Sequence, residues 1–463
     1  SKERSIAYSY TEDIPERGVA IAERVKTSVE FKEEKTKYTL ANIKALKEEA
    51  FVNNINNYRI SILHEISGTR YPGSPYKNLS TDWESVTQMI YREDDFGGEL
   101  KKTGYFEKDL DLVLNNSTSK IDKMYSILNF VKSKMNWNNY YGINCNDGVR
   151  TAYKNNKGNV AEINLMLTAM LRYAGLTANP VLLSTRENGI SIFPNRTSFN
   201  YVIAAVEIEE GVVLLDATEK IATPNILPIR VLNWEGRLIR IDGSSTSVSL
   251  VPSILSKNTK QIMAKLDSEG KITGKIRMQN TDYNAYNFRS NYLQVSKDSY
   301  IERLEKKYNN IQIDEYTVTN DRDLSKPVIE DISFTYDNLA EKIGSKMYFS
   351  PMLFFQLTEN PFKLEKREYP IDFVYPQQDK YTFSITIPEG YQVESVPAPL
   401  AIAIDNNMVV YKYNIQTVGN SIQLTTTLDV NESIVPPHYY EGLKEFFKKV
   451  VEKQIEKVVL VKI

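Results

Sequence analysis

The chain has 463 residues, of which 41% are hydrophobic and 25% are charged, and its formal net charge is −2. This composition is typical of soluble globular proteins, and the length favours two to four domains. The near balance of charge excludes the basic excess that nucleic-acid binding requires, and no apolar run is long enough to span a membrane.

The first 70 residues alternate polar and apolar side chains, for example in TKYTLANI (36–43) and NYRISILHEI (57–66). This alternation predicts β-strands with one buried face. The segment is too short for an independent sandwich, so we expect the remainder of an N-terminal β-sandwich domain. The chain opens with Ser and not with Met, as expected of a processed or truncated product. The connector RYPGSPYKNLS (70–80) predicts a domain boundary.

Residues 71–250 have a mixed pattern. A helix that starts at Val160 is apolar on most sides, which indicates a buried helix, and Asn159 with Glu162 forms a capping pair at its start. A further amphipathic helix is predicted at 119–137, and strands are predicted at 179–185, 199–208 and 211–218. A buried helix followed by antiparallel strands indicates an α+β domain.

Residues 251–463 return to strand patterning. A hairpin is predicted at 261–279, further strands at 381–396, 406–415 and 420–430, and helices at 298–308 and 439–458. We interpret this part as a C-terminal β-sandwich domain with a terminal helix. The predicted fold class is therefore multidomain α+β.

Three segments in order resemble the transglutaminase-like, papain-related fold: GNVAEINLMLTAMLRYAGLTANPVLLST (158–185), FNYVIAAVEI (199–208) and VVLLDAT (212–218). The resemblance implies a central domain of this fold, flanked by two β-sandwich-type domains. The predicted domains are 1–70, 71–250 and 251–463.

In that family a Cys in the first turn of the helix is the nucleophile, a His takes its proton, and an Asp orients the imidazole. The positions that match here are Val160, Tyr201 and Asp216. An isopropyl group cannot attack a carbonyl, and a tyrosine with an ordinary pKa near ~10 is a poor base at neutral pH. The resemblance therefore implies a degenerate triad with no catalytic residue, and we expect no cofactor and no metal.

The likeness extends to YPGSPYKNLSTDWE (71–84), DDFGGELKKTGYF (94–106) and ENPFKLEKREYPIDF (359–373). With these segments the whole chain resembles a family of exported Bacteroidetes proteins that carry a transglutaminase-like centre between two β-rich domains of unknown function. This implies export to the periplasm or the outer membrane. We expect a catalytically inactive binding or scaffolding component of the cell envelope, with an envelope protein, a carbohydrate or a peptide as partner. The candidate groove residues are Trp137, Tyr140, Tyr141, Asn159, Tyr201 and Asp216.

Two other functions stay open. The first is an active transglutaminase-like cysteine peptidase or acyltransferase that uses an unrecognised site or Cys145, the only cysteine, with His64 or His438 as the candidate bases. A single cysteine excludes an internal disulfide, and a small packed residue is the simpler role for it. The second is a carbohydrate-binding accessory protein that uses the exposed aromatic residues Trp137, Tyr140 and Tyr141.

Overall fold

A computed structural model describes residues 2–463 except 17, 18, 34, 44, 63, 65, 67, 71–73, 79–81, 116 and 338, with the backbone alone for the described residues up to 32. The fold is a mixture of helices and several β-sheets, which confirms the α+β class. The chain divides into two compact units, Ser1–Lys47 and Glu48–Ile463. Over the described ranges, no helix combines the length and the apolar character needed to cross a bilayer.

The first unit contains one antiparallel pair of long strands, β1 (Lys2–Glu16) and β2 (Val19–Glu33). The strands predicted at 36–43 and 57–66 are wrong, because the described residues of both segments lie outside any strand. Their described side chains are largely exposed, so the alternating apolar positions do not form a buried face. The assignment of residues 1–70 to a sandwich domain stays a prediction.

The second unit begins with short strands and helices that lead into an antiparallel sheet. Its first elements are β3 (Gly68–Thr69), β4 (Lys77–Asn78), α1 (Trp83–Tyr91), α2 (Glu107–Leu114), α3 (Lys120–Lys134), β5 (Asn136–Trp137), α4 (Val149–Asn155), β6 (Lys157–Gly158), α5 (Val160–Tyr173), β7 (Ala178–Leu183), β8 (Tyr201–Ile208), β9 (Gly211–Leu215), β10 (Glu235–Ile239) and β11 (Ser245–Ser249). The five-stranded sheet has the order β11-β10-β7-β8-β9, and the buried helix α5 packs on β7 and β8. The helices predicted at 119–137 and from Val160, and the three strands after them, are confirmed.

The remaining elements of the described chain form an eight-stranded sheet, a four-stranded sheet, a separate two-stranded pair and three α-helices. They are β12 (Ser256–Leu266), β13 (Ile272–Asn280), α6 (Asp282–Tyr292), α7 (Lys297–Lys307), β14 (Gln312–Thr319), β15 (Val328–Tyr336), β16 (Glu341–Ile343), β17 (Lys346–Phe349), β18 (Ile371–Asp372), β19 (Gln377–Thr386), β20 (Tyr391–Ser395), β21 (Leu400–Ala403), β22 (Val409–Val418), β23 (Ser421–Val430), β24 (Ile434–Val435), α8 (Tyr440–Ile455) and β25 (Val458–Lys462). One sheet has the order β14-β15-β13-β12-β19-β23-β22-β21, and β12 and β19 are its parallel pair. The other has the order β16-β17-β25-β20.

These two sheets share one hydrophobic core with α8, formed by side chains such as Phe383 and Tyr411 of the first sheet, Phe349 and Leu460 of the second, and Phe447 of the helix. A separate core surrounds α5 and the five-stranded sheet. The predicted hairpin and helices of residues 251–463 and the strands within 406–415 and 420–430 are confirmed as elements. The segment 381–396 forms two strands, β19 and β20, because a turn interrupts it at 387–390. The domain boundaries at 70 and 250 stay predictions, and residues 71–73, just after the first boundary, lie outside the described residues.

Candidate functional site

Helix α5 begins at Val160 because a capping box closes its first turn. The Asn159 side chain accepts the Glu162 N–H at 2.8 Å, and the Glu162 carboxylate accepts the Asn159 N–H at 2.8 Å. Glu162 also accepts the N–H groups of Asp147 and Gly148. Asn159 and Glu162 are both buried, so their polar atoms serve the helix start and the preceding turn. Val160, at the first helical position, has no exposed surface.

Tyr201 and Asp216 meet because β8 and β9 form an antiparallel hairpin. Its register pairs Ala204 with Leu215, so Asp216, the residue after β9, lies near the beginning of β8, where Tyr201 is. The Tyr201 hydroxyl donates to Asp216 Oδ2 at 2.8 Å. Both side chains are buried, with relative exposures of 0% and 1%. The structure therefore brings together two of the three predicted triad positions in direct contact.

The Asp216 carboxylate receives hydrogen bonds on both oxygens. Oδ1 accepts from the Thr218 N–H at 2.9 Å, the Thr218 hydroxyl at 2.7 Å and the Asn164 side chain at 3.0 Å. Oδ2 accepts from Tyr201. A buried carboxylate needs such donors because it has lost its water.

Asn164 joins α5 to this hairpin and was missed by the sequence analysis. Its amide nitrogen also donates to the Val202 carbonyl at 2.9 Å, and its oxygen accepts the Ala217 N–H at 2.9 Å. Asn164 lies one helical turn after Val160, so the two residues share one face of α5, and Asn164 contacts β8 there through the Val202 carbonyl. The available signal was a lone asparagine within a helix that is apolar on most sides.

Arg230 is a second residue that the sequence analysis missed. Its guanidinium donates to the Thr218 hydroxyl at 2.9 Å and to the Tyr201 hydroxyl at 3.3 Å, and it pairs with Glu219. It also lies 4.5 Å from the centre of the Trp137 ring. Arg230 lies in a short 3-10 helix, Ile229–Val231, before β10, and no motif in the sequence around it indicated its role.

Burial, followed by the nearby Asp216 charge, raises the pKa of Tyr201 well above its ordinary value, although Arg230 opposes that rise. The phenol is therefore protonated at neutral pH and acts as a donor to Asp216. It cannot take a proton from a nucleophile in this state.

The predicted aromatic residues lie beside this network. The Tyr141 ring is 5.5 Å from Trp137 and 5.9 Å from Tyr201, measured between ring centres. The Trp137 indole N–H donates to the Tyr140 carbonyl, which also accepts the Val160 N–H. Tyr140 and Tyr141 are 66% and 42% exposed. We call Trp137, Tyr140, Tyr141 and Arg230 the aromatic surface; its role in binding stays a prediction.

Cys145 is buried in the loop before α4, and its environment opposes a thiolate. Burial raises the pKa of its thiol, and the charges of Glu99, Glu162 and Asp95 raise it further. A reactive cysteine needs the opposite surroundings, namely nearby cations and access to solvent. Among the residues that the structure describes, no cluster of three or more His, Cys, Asp or Glu side chains could hold a metal ion.

Comparison with known proteins gives two matches. Residues 345–460 match the family described as Domain of Unknown Function with solved-structure structure (DUF3858). The fold resembles the crystal structure of a "putative protease" from Parabacteroides distasonis ATCC 8503, with a TM-score of 0.50 and 12% sequence identity, over 99% of this chain and 70% of the other. No curated protein sequence matches the chain. At this identity the similarity concerns the fold alone.

Proposed function

We propose that residues 71–250 form a transglutaminase-like domain that has lost its catalytic chemistry, and that the protein is a binding or scaffolding component of the bacterial cell envelope. Residues 1–70 and 251–463 would be the flanking β-sandwich-type domains. Export, and a place in the periplasm or at the outer membrane, follow from the resemblance to exported Bacteroidetes proteins.

The observation that carries the proposal is the 2.8 Å hydrogen bond from the Tyr201 hydroxyl to Asp216, beside a helix that begins with Val160. In an active enzyme of this kind the Asp would orient an imidazole and the helix start would carry a thiolate. Here the protonated phenol of Tyr201 donates its hydrogen bond to Asp216, and the apolar side chain of Val160 lies at the start of the helix. Thr218 donates to Asp216, and Arg230 donates to Thr218. These hydrogen bonds stabilise the fold and leave no side chain of this network free to act as the general base.

The resemblance can be tested by rebuilding the pair. In a Cys145→Ala background, Val160→Cys would be combined with Tyr201→His or, as the control of similar ring size, with Tyr201→Phe. A neighbouring imidazole lowers a thiol's pKa, so in an ultraviolet titration the thiolate absorbance of the His variant should appear at a pH at least ~1 unit lower than that of the Phe variant. This readout needs no reagent to enter the buried site. Equal thiol pKa values in two folded variants would show that positions 160 and 201 do not form the inherited pair.

Carbohydrate binding is the second candidate, and the exposure of Tyr140 and Tyr141 beside Trp137 favours it. Exposed aromatic rings provide apolar faces on which sugar rings can stack, and a hydroxyl that can hydrogen-bond. The double substitution Tyr140→Ser and Tyr141→Ser should abolish binding on a glycan array. Tyr125→Ser, on the exposed face of α3, is the matched control and should leave the array signal unchanged.

A further inference from the structure

A cavity of about 320 Å³ lies between the eight-stranded sheet and helices α6 and α7, lined by none of the residues of the site described above. Its volume is within the range of small-molecule sites. The polar side chains that line it include Asn258, Lys260, Asn280, Arg303, Lys307 and Glu330.

Two charged residues occupy inward positions on the floor of this cavity. On β12, Lys260 shares its face with the buried Ile262; on β15, Glu330 shares its face with the buried Ile332. An inward position on such a strand normally carries an apolar side chain. Lys260 is 6% exposed and Glu330 is 2% exposed.

The sheet register keeps these two charges apart. Met278 of β13 pairs with Lys260 on one side and with Glu330 on the other. The two charged residues are therefore two strands apart, roughly 10 Å across the sheet. In the next row Asn258 pairs with Asn280, about 7 Å along the strands, so four polar side chains surround a floor about as large as one sugar ring.

The surrounding protein satisfies these floor groups only in part. The Lys260 ammonium donates to the Tyr381 hydroxyl at 2.8 Å, which leaves two of its three donors for other partners. Glu330 Oε2 accepts from Tyr316 at 2.9 Å and from Tyr300 at 3.3 Å, and its other oxygen accepts from no described residue. Burial raises the pKa of Glu330 to about 7 and lowers that of Lys260 to about 8. Groups perturbed in this way are typical of ligand sites.

The rim adds positive charge from α7. Arg303 and Lys307 are four residues apart, so they lie on one face of the helix, and both line the cavity. Both side chains are exposed, and neither forms an ion pair with a described carboxylate. Phe288 and Tyr308 supply apolar wall. The cavity thus combines a polar floor, aromatic walls and an unpaired cationic rim.

We propose that this cavity binds an acidic sugar, that is, a hydroxyl-bearing ring with one carboxylate. The ring hydroxyls would bond to Lys260, Glu330 and the asparagine amides, and the ring faces would contact the aromatic walls. The ligand carboxylate would pair with Arg303 and Lys307. This site is independent of the proposed loss of catalysis, so either proposal can fail without the other.

Isothermal titration calorimetry of the full chain tests the site with three probes: D-glucuronate, D-glucose as the uncharged ring, and acetate as the carboxylate without a ring. We expect glucuronate to bind most tightly, at least ~10-fold more tightly than either control, because it alone offers both features. The combined substitution Arg303→Gln and Lys307→Gln should remove this advantage over glucose. Lys306→Gln, a neighbouring exposed lysine of α7 that does not line the cavity, is the matched control and should preserve it.

The rim substitutions are on exposed positions, so they should not prevent folding. Glu330→Gln, which retains the side-chain shape, should weaken glucuronate and glucose together because it alters the floor and not the rim. No detectable glucuronate binding would overturn the proposal. Equal binding of acetate and glucuronate would overturn the sugar assignment, and loss of binding in Lys306→Gln would place the anion outside the cavity.

Discussion

The network around Asp216 and the cavity around Glu330 each bury a carboxyl group, but their surroundings differ. Asp216 receives hydrogen bonds from three side chains and one backbone N–H, which use both oxygens. Glu330 receives two hydrogen bonds on one oxygen and none from a described residue on the other, and its side chain lines a cavity. The cation near Asp216 is Arg230, which hydrogen-bonds to Thr218 of the same network. The cation near Glu330 is Lys260, which lies two strands away in the sheet.

The difference distinguishes a structural role, at Asp216, from the proposed binding role at Glu330. A buried polar group that the protein satisfies completely gains little from a ligand, because every lone pair is already used. A buried group that is satisfied in part keeps a desolvation penalty that a ligand can relieve. The resemblance to enzymes indicated the Asp216 region, yet the buried carboxyl group that the protein satisfies only in part is that of Glu330.

The largest stability effect is expected from Asp216→Ala. The substitution leaves the Tyr201, Thr218 and Asn164 donors without their acceptor, so we expect the free energy of unfolding to fall by ~3–5 kcal/mol. Urea denaturation measures it. Glu209→Ala, in the exposed turn of the same hairpin, is the control and should change stability by less than ~0.5 kcal/mol. A loss below ~1 kcal/mol for Asp216→Ala would mean that the network does not hold the hairpin to α5.

The next effect concerns pH and Glu330. Because its pKa is about 7 in the folded protein and 4.5 is its ordinary value, the unfolded chain loses this proton first as the pH rises. The stability contribution of Glu330 is therefore complete below about pH 4.5 and is lost as the pH rises through about 7, by up to ~3 kcal/mol.

The difference in unfolding free energy between wild type and Glu330→Gln isolates this contribution from other titrating groups. Urea denaturation from about pH 4 to about pH 8 should show that the variant becomes more stable relative to the wild type as the pH rises. The charged and titratable groups around Glu330 are Lys260, Tyr292, Tyr300, Arg303, Lys307, Tyr308 and Tyr316. Lys260, with its pKa lowered to about 8, gives a contribution that is present above its ordinary value of 10.5 and lost as the pH falls through about 8. A constant difference would contradict the buried, protonated carboxyl.

A smaller effect is expected from Tyr201→Phe. It removes one hydrogen bond to the Asp216 carboxylate but keeps the ring, so a loss of ~2 kcal/mol in unfolding free energy is expected by the same denaturation assay. Tyr140→Phe removes an exposed hydroxyl and is the control. Equal stability of the two variants would show that the buried hydroxyl contributes nothing.

The smallest effect is expected from Tyr140→Ser. The Tyr140 side chain is 66% exposed, and its backbone carbonyl, which the substitution retains, makes the contacts with Trp137 and Val160. Thermal unfolding should therefore show a stability change within ~0.5 kcal/mol. A large destabilisation would assign this tyrosine to packing and remove it from the aromatic surface.

The sequence predicted correctly those elements whose ends are marked by local residues. The capping box of Asn159 and Glu162 places the beginning of α5, and Gly175, with φ +83°, ends it where a side chain would be strained. The alternating segments at 36–43 and 57–66 failed because a strand also needs a partner, and alternation alone cannot supply one.

The candidate site was predictable only where a motif fixed the position. The resemblance indicated Tyr201 and Asp216, and the structure places them in contact. Arg230 contacts them only through the tertiary fold, from a short 3-10 helix, so the residues beside it in the sequence did not indicate this role. Lys260 and Glu330 did have a sequence signal, because each is a charged residue at an inward strand position. Their separation across the sheet depends on the strand register, which only the folded structure shows.

The most direct test of the central claim is acyl-transfer chemistry by the wild-type protein. Purified full chain would be incubated with amide and ester substrates, with and without an amine acceptor, and its intact mass and the released products would be measured. We predict no turnover above a Cys145→Ala control and no covalent acyl adduct. Turnover that Cys145→Ala removes, or an adduct of one acyl group per chain, would contradict the claim.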